Sequence, residues 1–470
     1  MSSRPPPTEQ DMSENTLEAP GAPASMLDAV KVYLRPSVLV VILLGFSSGL
    51  PLALTGTTLA VWMTERKVDI ATIGLFHLVG LPYTLKFLWA PLVDALDVPL
   101  LSRWLGRRRG WLLATQLLLA AAILYLGFQD LGFAPSADGT RMAAPFGLIV
   151  GAVLVAFLSA TQDIVVDAYR VEKLDTSEQA AGMAGYVAAY RIGMLVSGAG
   201  IIALVAWFEF KGLPHAQVWA WGYGVAAACM ALGIFATLIA REPDGAPRVA
   251  HEGGALGALK RVFTTAFGAF SEFLTRSHAF AILAFVTLYK FSDALAGGLT
   301  ASFVISIGFD KATYAAIVKG VGLLAALAGG FAGGMLARGR SLVTCLWIGG
   351  VLQMASNLAF SVQAMIGPDV GFLTFAMIVE NFTGAIGTVI FVAYLSSLCG
   401  ARAHTATQYA LLTALTAVGR TVLASGGGYI YDVTGWAWFF VVTVIAGLPG
   451  LALLGWLQAR GHFRELGAKG

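Results

Sequence analysis

Twelve apolar segments of about 20 residues recur along this chain, and each is long enough to cross a bilayer core of about 30 Å. They cover roughly 38–63, 70–95, 111–128, 145–169, 182–207, 216–240, 279–306, 312–337, 342–363, 371–398, 405–429 and 436–458. In lipid every backbone N–H and C=O must be satisfied within the spanning element, so segments of this length cross as helices. The expected fold is therefore an all-α membrane protein with twelve transmembrane helices.

Composition removes the soluble alternative. With 57% hydrophobic and 12% charged residues over 470 positions, the chain carries more apolar surface than a water-soluble core can hide. The net charge of +3 is small and the basic residues lie in loops rather than in a stripe, so no nucleic-acid partner is expected. Cys229, Cys345 and Cys399 fall inside apolar runs without metal-ligand spacing, and neither a metal nor a cofactor is implied. Residues 1–30, rich in Pro, Glu, Ser and Ala, read as a disordered cytoplasmic tail.

Orientation follows from Lys and Arg placement. Of 30 basic residues, 20 fall on the side of the N-terminal tail, five on the other side, Lys311 among them, and five within the segments. Both termini are expected in the cytoplasm. The connection 241–278 begins polar, then spaces Val262, Phe263, Phe267, Phe270 and Leu274 as an amphipathic surface helix would. It separates a six-helix bundle over 31–240 from a second over 279–460, with 461–470 left as a cytoplasmic tail.

The two halves repeat one another. FSSGLPLALT from Phe46 matches FSDALAGGLT from Phe291, and DIAT from Asp69 matches DKAT from Asp310. At an offset of 229, Thr176, Gln179, Ala188, Arg191 and Gly198 meet Thr405, Gln408, Ala417, Arg420 and Gly427. Six spans per half return the second half to the same side, giving parallel repeats about an axis along the membrane normal, the architecture of the major facilitator superfamily.

Several stretches carry a narrower resemblance: GFSSGLPLALTGTTLAVWM, ATIGLFHLVGLPYTLKFLWAPLVD, GRRRGWLLATQ, QDIVVDAYR, YRIGMLVSG, LYKFSDALAGGLT and HTATQYALLTALTAVGR. Over about 38–430 the chain resembles the AmpG-type muropeptide permeases, without the extra helix pair between the halves that some members carry. The resemblance implies proton-driven import of anhydromuropeptides, the sugar-peptide fragments of the cell wall, across the bacterial inner membrane by a monomer. Acetyl-CoA transporters share the wider family and give the alternative substrate.

Polar residues inside the spans are costly in hydrocarbon and mark candidate sites. Asp163 lies deep in the fourth span with no cation at i+3 or i+4, while Asp167, one turn on, can pair with Arg170. Glu380 lies near mid-membrane in the tenth. Asp163, Glu380 and Asp167 are the proton-coupling candidates, with a structural pairing of Glu380 to Arg420 as the competing reading. Arg191 and Arg420, repeat-equivalent, can each grip a carboxylate or phosphate with two parallel bonds.

Gln162, Asn381, Lys290, Asp293, Lys86 and Tyr190 complete the substrate-binding candidates. Lys290 and Asp293 can neutralise each other at i,i+3, and Lys86 and Lys319 look alike in position. The lone His77 reads as a hydrogen-bonded core residue. Asp94 with Arg107, Arg108 and Arg109 fits the superfamily pattern of a cytoplasmic gate, although the spacing is stretched. The histidines are scattered along the chain and none stands in an HExxH context, which speaks against an enzyme.

Overall fold

The computed structural model describes residues 31–129, 134–135, 142–214, 217–243, 260, 264, 274–275, 277–398 and 405–467. The expected tail 1–30 and most of the amphipathic helix in the connection lie outside the described residues. In the first half the membrane helices are α1 (Pro36–Glu65), α2 (Ile70–Leu88), α3 (Arg107–Phe128), α4 (Phe146–Lys173), α5 (176–210) and α6 (Val218–Ile239). The second half holds α7 (Ala279–Ser306), α8 (Lys311–Ala337), α9 (Leu342–Ile366) and α10 (Val370–Leu398).

The last two helices meet at a glycine break. Helical hydrogen bonding runs from Gly427 to Ala459 over 33 residues, about 50 Å of helix and too long for one crossing. Gly435 interrupts it at φ 68°, ψ 172°, a conformation open to glycine but not to a side chain. The chain therefore turns there, so α11 covers 405–434 and α12 covers 436–459. Beyond α12 a short helix, His462–Gly467, docks back through a 3.1 Å contact between His462 Nε2 and Tyr394 Oη.

We call the end of the bundle where α1 begins the terminal end and the end where α1 turns into α2 the distal end. Between α3 and α4, at the distal end, a two-residue ladder pairs β1 (Ala134–Pro135) with β2 (Met142–Ala143), antiparallel. The repeated DIAT and DKAT motifs do the same work in each half. Asp69 caps α2 by accepting from Thr72 N at 2.7 Å, and Asp310 caps α8 by accepting from Thr313 N at 2.8 Å. Each cap is worth about 1 kcal/mol, and the pair confirms the repeat register at that point.

Registering Asp69 on Asp310 puts Lys319 opposite Leu78, not opposite Lys86. Lys86 lies 16 residues into α2, about 24 Å down the helix, whereas Lys319 lies eight residues into α8, about 12 Å. The expected likeness of the two lysines is thus corrected by helix geometry.

Apolar packing shows how the halves meet. A single buried cluster at the distal side includes Trp62, Ile73, Trp219, Phe303 and Phe440 and draws on both halves. Toward the terminal end the core splits in two. One cluster, with Leu44, Val165 and Tyr169, belongs to the first half, and another, with Phe285, Ile390 and Leu454, belongs to the second. The halves are closed against each other distally and packed separately at the terminal end.

Candidate functional site

Each half carries a lysine-carboxylate cluster at membrane depth. In the first half Lys86 of α2 places its Nζ 3.9 Å from Asp163 Oδ2 and 3.6 Å from Asp167 Oδ2, both on α4. No cation lies at i+3 or i+4 of Asp163 on its own helix, as the sequence indicates, and α2 supplies Lys86 instead. Arg170 reaches Asp167 at 3.6 Å as its i+3 spacing suggested and lies over the Tyr186 ring at 5.9 Å.

Asp163 is nearly buried, its side chain 10% exposed, while that of Asp167 is 45% exposed. Ser48 of α1 accepts from Gln162 Nε2 at 3.4 Å and lies within reach of Asp163. Tyr186 and Tyr190 of α5, with ring centroids 6.1 Å apart, lie close enough to Asp163 to feel its charge.

In the second half Lys290 is buried, with Nζ 3.0 Å from Asp293 Oδ2 and donating to Gln353 Oε1 at 2.7 Å. The i,i+3 neutralisation is present. Glu380 of α10 accepts from Asn381 Nδ2 at 2.7 Å and lies within electrostatic reach of Asp293, Lys290 and Lys319. No ion pair within 4 Å joins Glu380 to Arg420 among the described residues, so the pairing entertained from sequence is replaced by Asn381 and the two lysines. Geometry is the reason: Arg420 presents an exposed side chain on α11. Arg191 is exposed as well, and neither guanidinium has an ion-pair partner among the described residues.

The arginines expected at a gate make bonds within the first half. Arg108 makes a two-pronged contact with Glu172 at the end of α4, and its backbone N–H donates to Glu242 after α6 at 2.8 Å. Arg107 Nη2 lies 3.9 Å from the same Glu172, and Arg109 donates to Thr237 O and Leu238 O. These bonds tie α3, α4 and α6 together within the first half and extend α3 and α4 beyond their expected ends. The side chain of Asp94 lies outside the described residues.

A charged contact joins the halves at the distal end. Lys311, at the start of α8 and only 8% exposed, lies 2.6 Å from Glu65 of α1 and 2.6 Å from Glu209 of α5. Trp219 of α6 donates its indole N–H to Glu65 at 2.6 Å, and Lys311 Nζ sits 5.4 Å from that ring. Thr64 adds a 2.9 Å bond to Ser302 of α7. Beside this latch α2 and α11 touch backbone to backbone, for a Cβ on Gly428 would stand 2.1 Å from Ile70 O. Sequence reasoning counted Lys311 only as a loop charge and passed over Glu65 and Glu209. Nothing in their spacing announces a contact made across 246 residues.

Three comparisons place this arrangement among known proteins. A family profile described as acetyl-coenzyme A transporter 1 matches residues 37–207. The anhydromuropeptide permease of Escherichia coli strain K12 is 40% identical over 426 residues, covering 90% of this chain and 80% of that protein. Among solved structures, a POT family transporter in complex with a thioalcohol-conjugated peptide superposes with a TM-score of 0.65 at 14% identity, covering 90% of this chain and 96% of that one. A D-xylose-proton symporter gives 0.59 at 15% identity, covering 90% and 97%. At such identities the structures speak for the fold alone, two six-helix halves of the major facilitator type.

Proposed function

The chain belongs to the AmpG family of anhydromuropeptide permeases, carriers rather than enzymes, and from that premise we propose that it imports anhydromuropeptides into the cytoplasm in symport with protons. The observation that carries the substrate is identity at the 40% level across both halves of the fold, not over one motif. The acetyl-coenzyme A transporter profile matches residues 37–207, within the first half alone. The basic-residue bias puts the terminal end in the cytoplasm and the distal end in the periplasm.

Import then proceeds by alternating access. The distal latch is closed while the terminal ends of the halves pack apart, as a carrier releasing solute to the cytoplasm requires. Asp163 and Glu380 sit at depth, one in each half, beside lysines that can hold a carboxylate of the solute when the acid is protonated. Arg191 and Arg420, exposed at mid-helix, are far cheaper in a water-filled cavity between the halves than in lipid, and a guanidinium there suits the carboxylates of a peptide stem. Gln162, Asn381 and Tyr190 add neutral hydrogen-bonding groups beside these charges.

The test is competitive binding to the detergent-purified protein. A labelled anhydromuropeptide is expected to bind and to be displaced by unlabelled anhydromuropeptide but not by acetyl-CoA. Displacement by acetyl-CoA at equal or lower concentration would transfer the assignment to the acyl-CoA carriers.

A further inference from the structure

Near mid-depth α1 is not an ordinary helix. Residues Leu54–Thr58 form a π turn, and Gly56 leaves helical geometry at φ −101°, ψ −106°. Such interruptions at membrane depth are tolerated where the backbone lines protein or a cavity, and π turns recur at functional sites. Opposite this break α7 presents Gly297 and Gly298, and α2 presents His77, whose Nδ1 is tethered 2.9 Å from Gly74 O. Between them lies a cavity of about 110 Å³, on the far side of which Met63 precedes the latch residue Glu65 by two positions.

The lining has a distinct chemistry. Thr55, Thr57 and His77 supply polar atoms, Met63, Ile73 and Phe76 supply apolar ones, and among the described residues neither Lys, Arg, Asp nor Glu lines the space. Thr57 Oγ1 is buried without a hydrogen-bond partner among the described residues, a cost that a bound group could relieve. A Cβ added at Gly297 meets nothing within 4 Å, so the empty space continues directly in front of α7. At roughly 30 Å³ per water the cavity holds about four waters, room for an acetamido- or hydroxyl-bearing edge of a sugar ring.

We propose that this cavity seats the uncharged sugar end of the solute, with the peptide carboxylates left toward the level of Lys86, closer to the terminal end. The inference rests on the muropeptide reading above and adds the place and polarity of binding. No lining residue offers a carboxylate a counter-charge, and Lys319, whose Cε lies near Thr57 Oγ1 beside Gly198 of α5, stands outside the lining. A pyranose edge instead sets C–H groups against Phe76 and Ile73 and hydroxyl or amide groups against Thr57 and His77. It also puts the solute directly beneath the distal latch, so that a seated sugar and a closed latch share the residues of α1 from Thr55 to Glu65.

Binding of three probes to the full-length purified protein tests this: the intact anhydromuropeptide, its sugar fragment and its free peptide stem. Gly297→Leu extends into the cavity from a position where an added Cβ meets no atom within 4 Å, and Thr57→Val removes the unpaired hydroxyl at constant shape. Gly297→Leu is expected to weaken the intact solute and the sugar fragment roughly tenfold or more, and Thr57→Val by a few-fold, with stem binding unchanged in both. Melting temperatures identify a variant that fails to fold, and Thr57→Val carries the comparison if Gly297→Leu does. Sugar binding at wild-type strength in both folded variants, or equal losses of sugar and stem, overturns the proposal. Wild-type protein that binds none of the three probes overturns the muropeptide reading itself.

Discussion

Lys311→Met is expected to open the distal end of the carrier. The substitution keeps the length of the side chain and removes the cation that holds Glu65 and Glu209 together, leaving two carboxylates of like charge facing one another beside Trp219. Breaking a fully buried pair costs about 3–5 kcal/mol. Here the carboxylates are 19% and 24% exposed, so solvent screening reduces the effect to about 1–3 kcal/mol, a population shift of roughly 5- to 150-fold. Ala60 lines the cavity beneath the latch, and a cysteine placed there reports the opening. Its labelling by an impermeant maleimide added outside should rise at least about tenfold in the Lys311→Met background, while net uptake falls because distal closure is lost. Unchanged labelling, with unchanged melting, would mean that the apolar cluster alone closes this end.

The second large effect concerns coupling. Asp163→Asn and Glu380→Gln keep the shape and most of the hydrogen bonding of each site but cannot take up or release a proton. Uptake driven by a pH gradient should fall by roughly tenfold or more in each, while exchange of labelled for unlabelled solute at equal pH is largely kept. The sign follows from the direction of the cycle. In the wild type, lowering external pH should speed uptake because protonation precedes inward release, and in the variants that acceleration should be lost. If exchange and gradient-driven uptake fall together, these acids serve solute binding or folding instead. Asp163 lies 3.9 Å from Lys86 in the present state, and Glu380 lies near Lys290 and Lys319, so neutralising either acid leaves a lysine with less to hold.

Much of the architecture was legible because it is written locally. A run of about 20 apolar residues announces a span by length alone, and twelve such runs with one repeated Asp-x-Ala-Thr cap gave both the helix count and the register of the repeat. Helix ends were misjudged where charge sits on helix: Arg108 belongs to α3 because Glu172 and Glu242 satisfy it, which periodicity cannot reveal.

The site was legible in part. Asp163, Asp167, Glu380, Lys290 and Asp293 stood out because ionisable groups inside apolar runs are expensive, and the structure gathers them into two clusters. What sequence could not supply was the rotation of one span against another. Lys86 meets Asp163 across two helices, Arg420 of α11 is turned away from Glu380, and Lys311 meets Glu65 across the whole repeat. The neutral cavity was invisible for a related reason: its identity lies in a backbone break at Gly56 and in the absence of side chains at Gly297 and Gly298. His77, set aside as a core residue, gains its place only when α7 packs against it.

Proteoliposome uptake is the most direct measurement of the central claim. Purified protein reconstituted in vesicles with a more acidic exterior should accumulate a labelled anhydromuropeptide above its external concentration, and collapse of the pH gradient by a protonophore should abolish the accumulation while leaving equilibration intact. Vesicles that bind the solute yet never accumulate it, or that accumulate it equally well after the gradient is collapsed, would contradict proton-driven import.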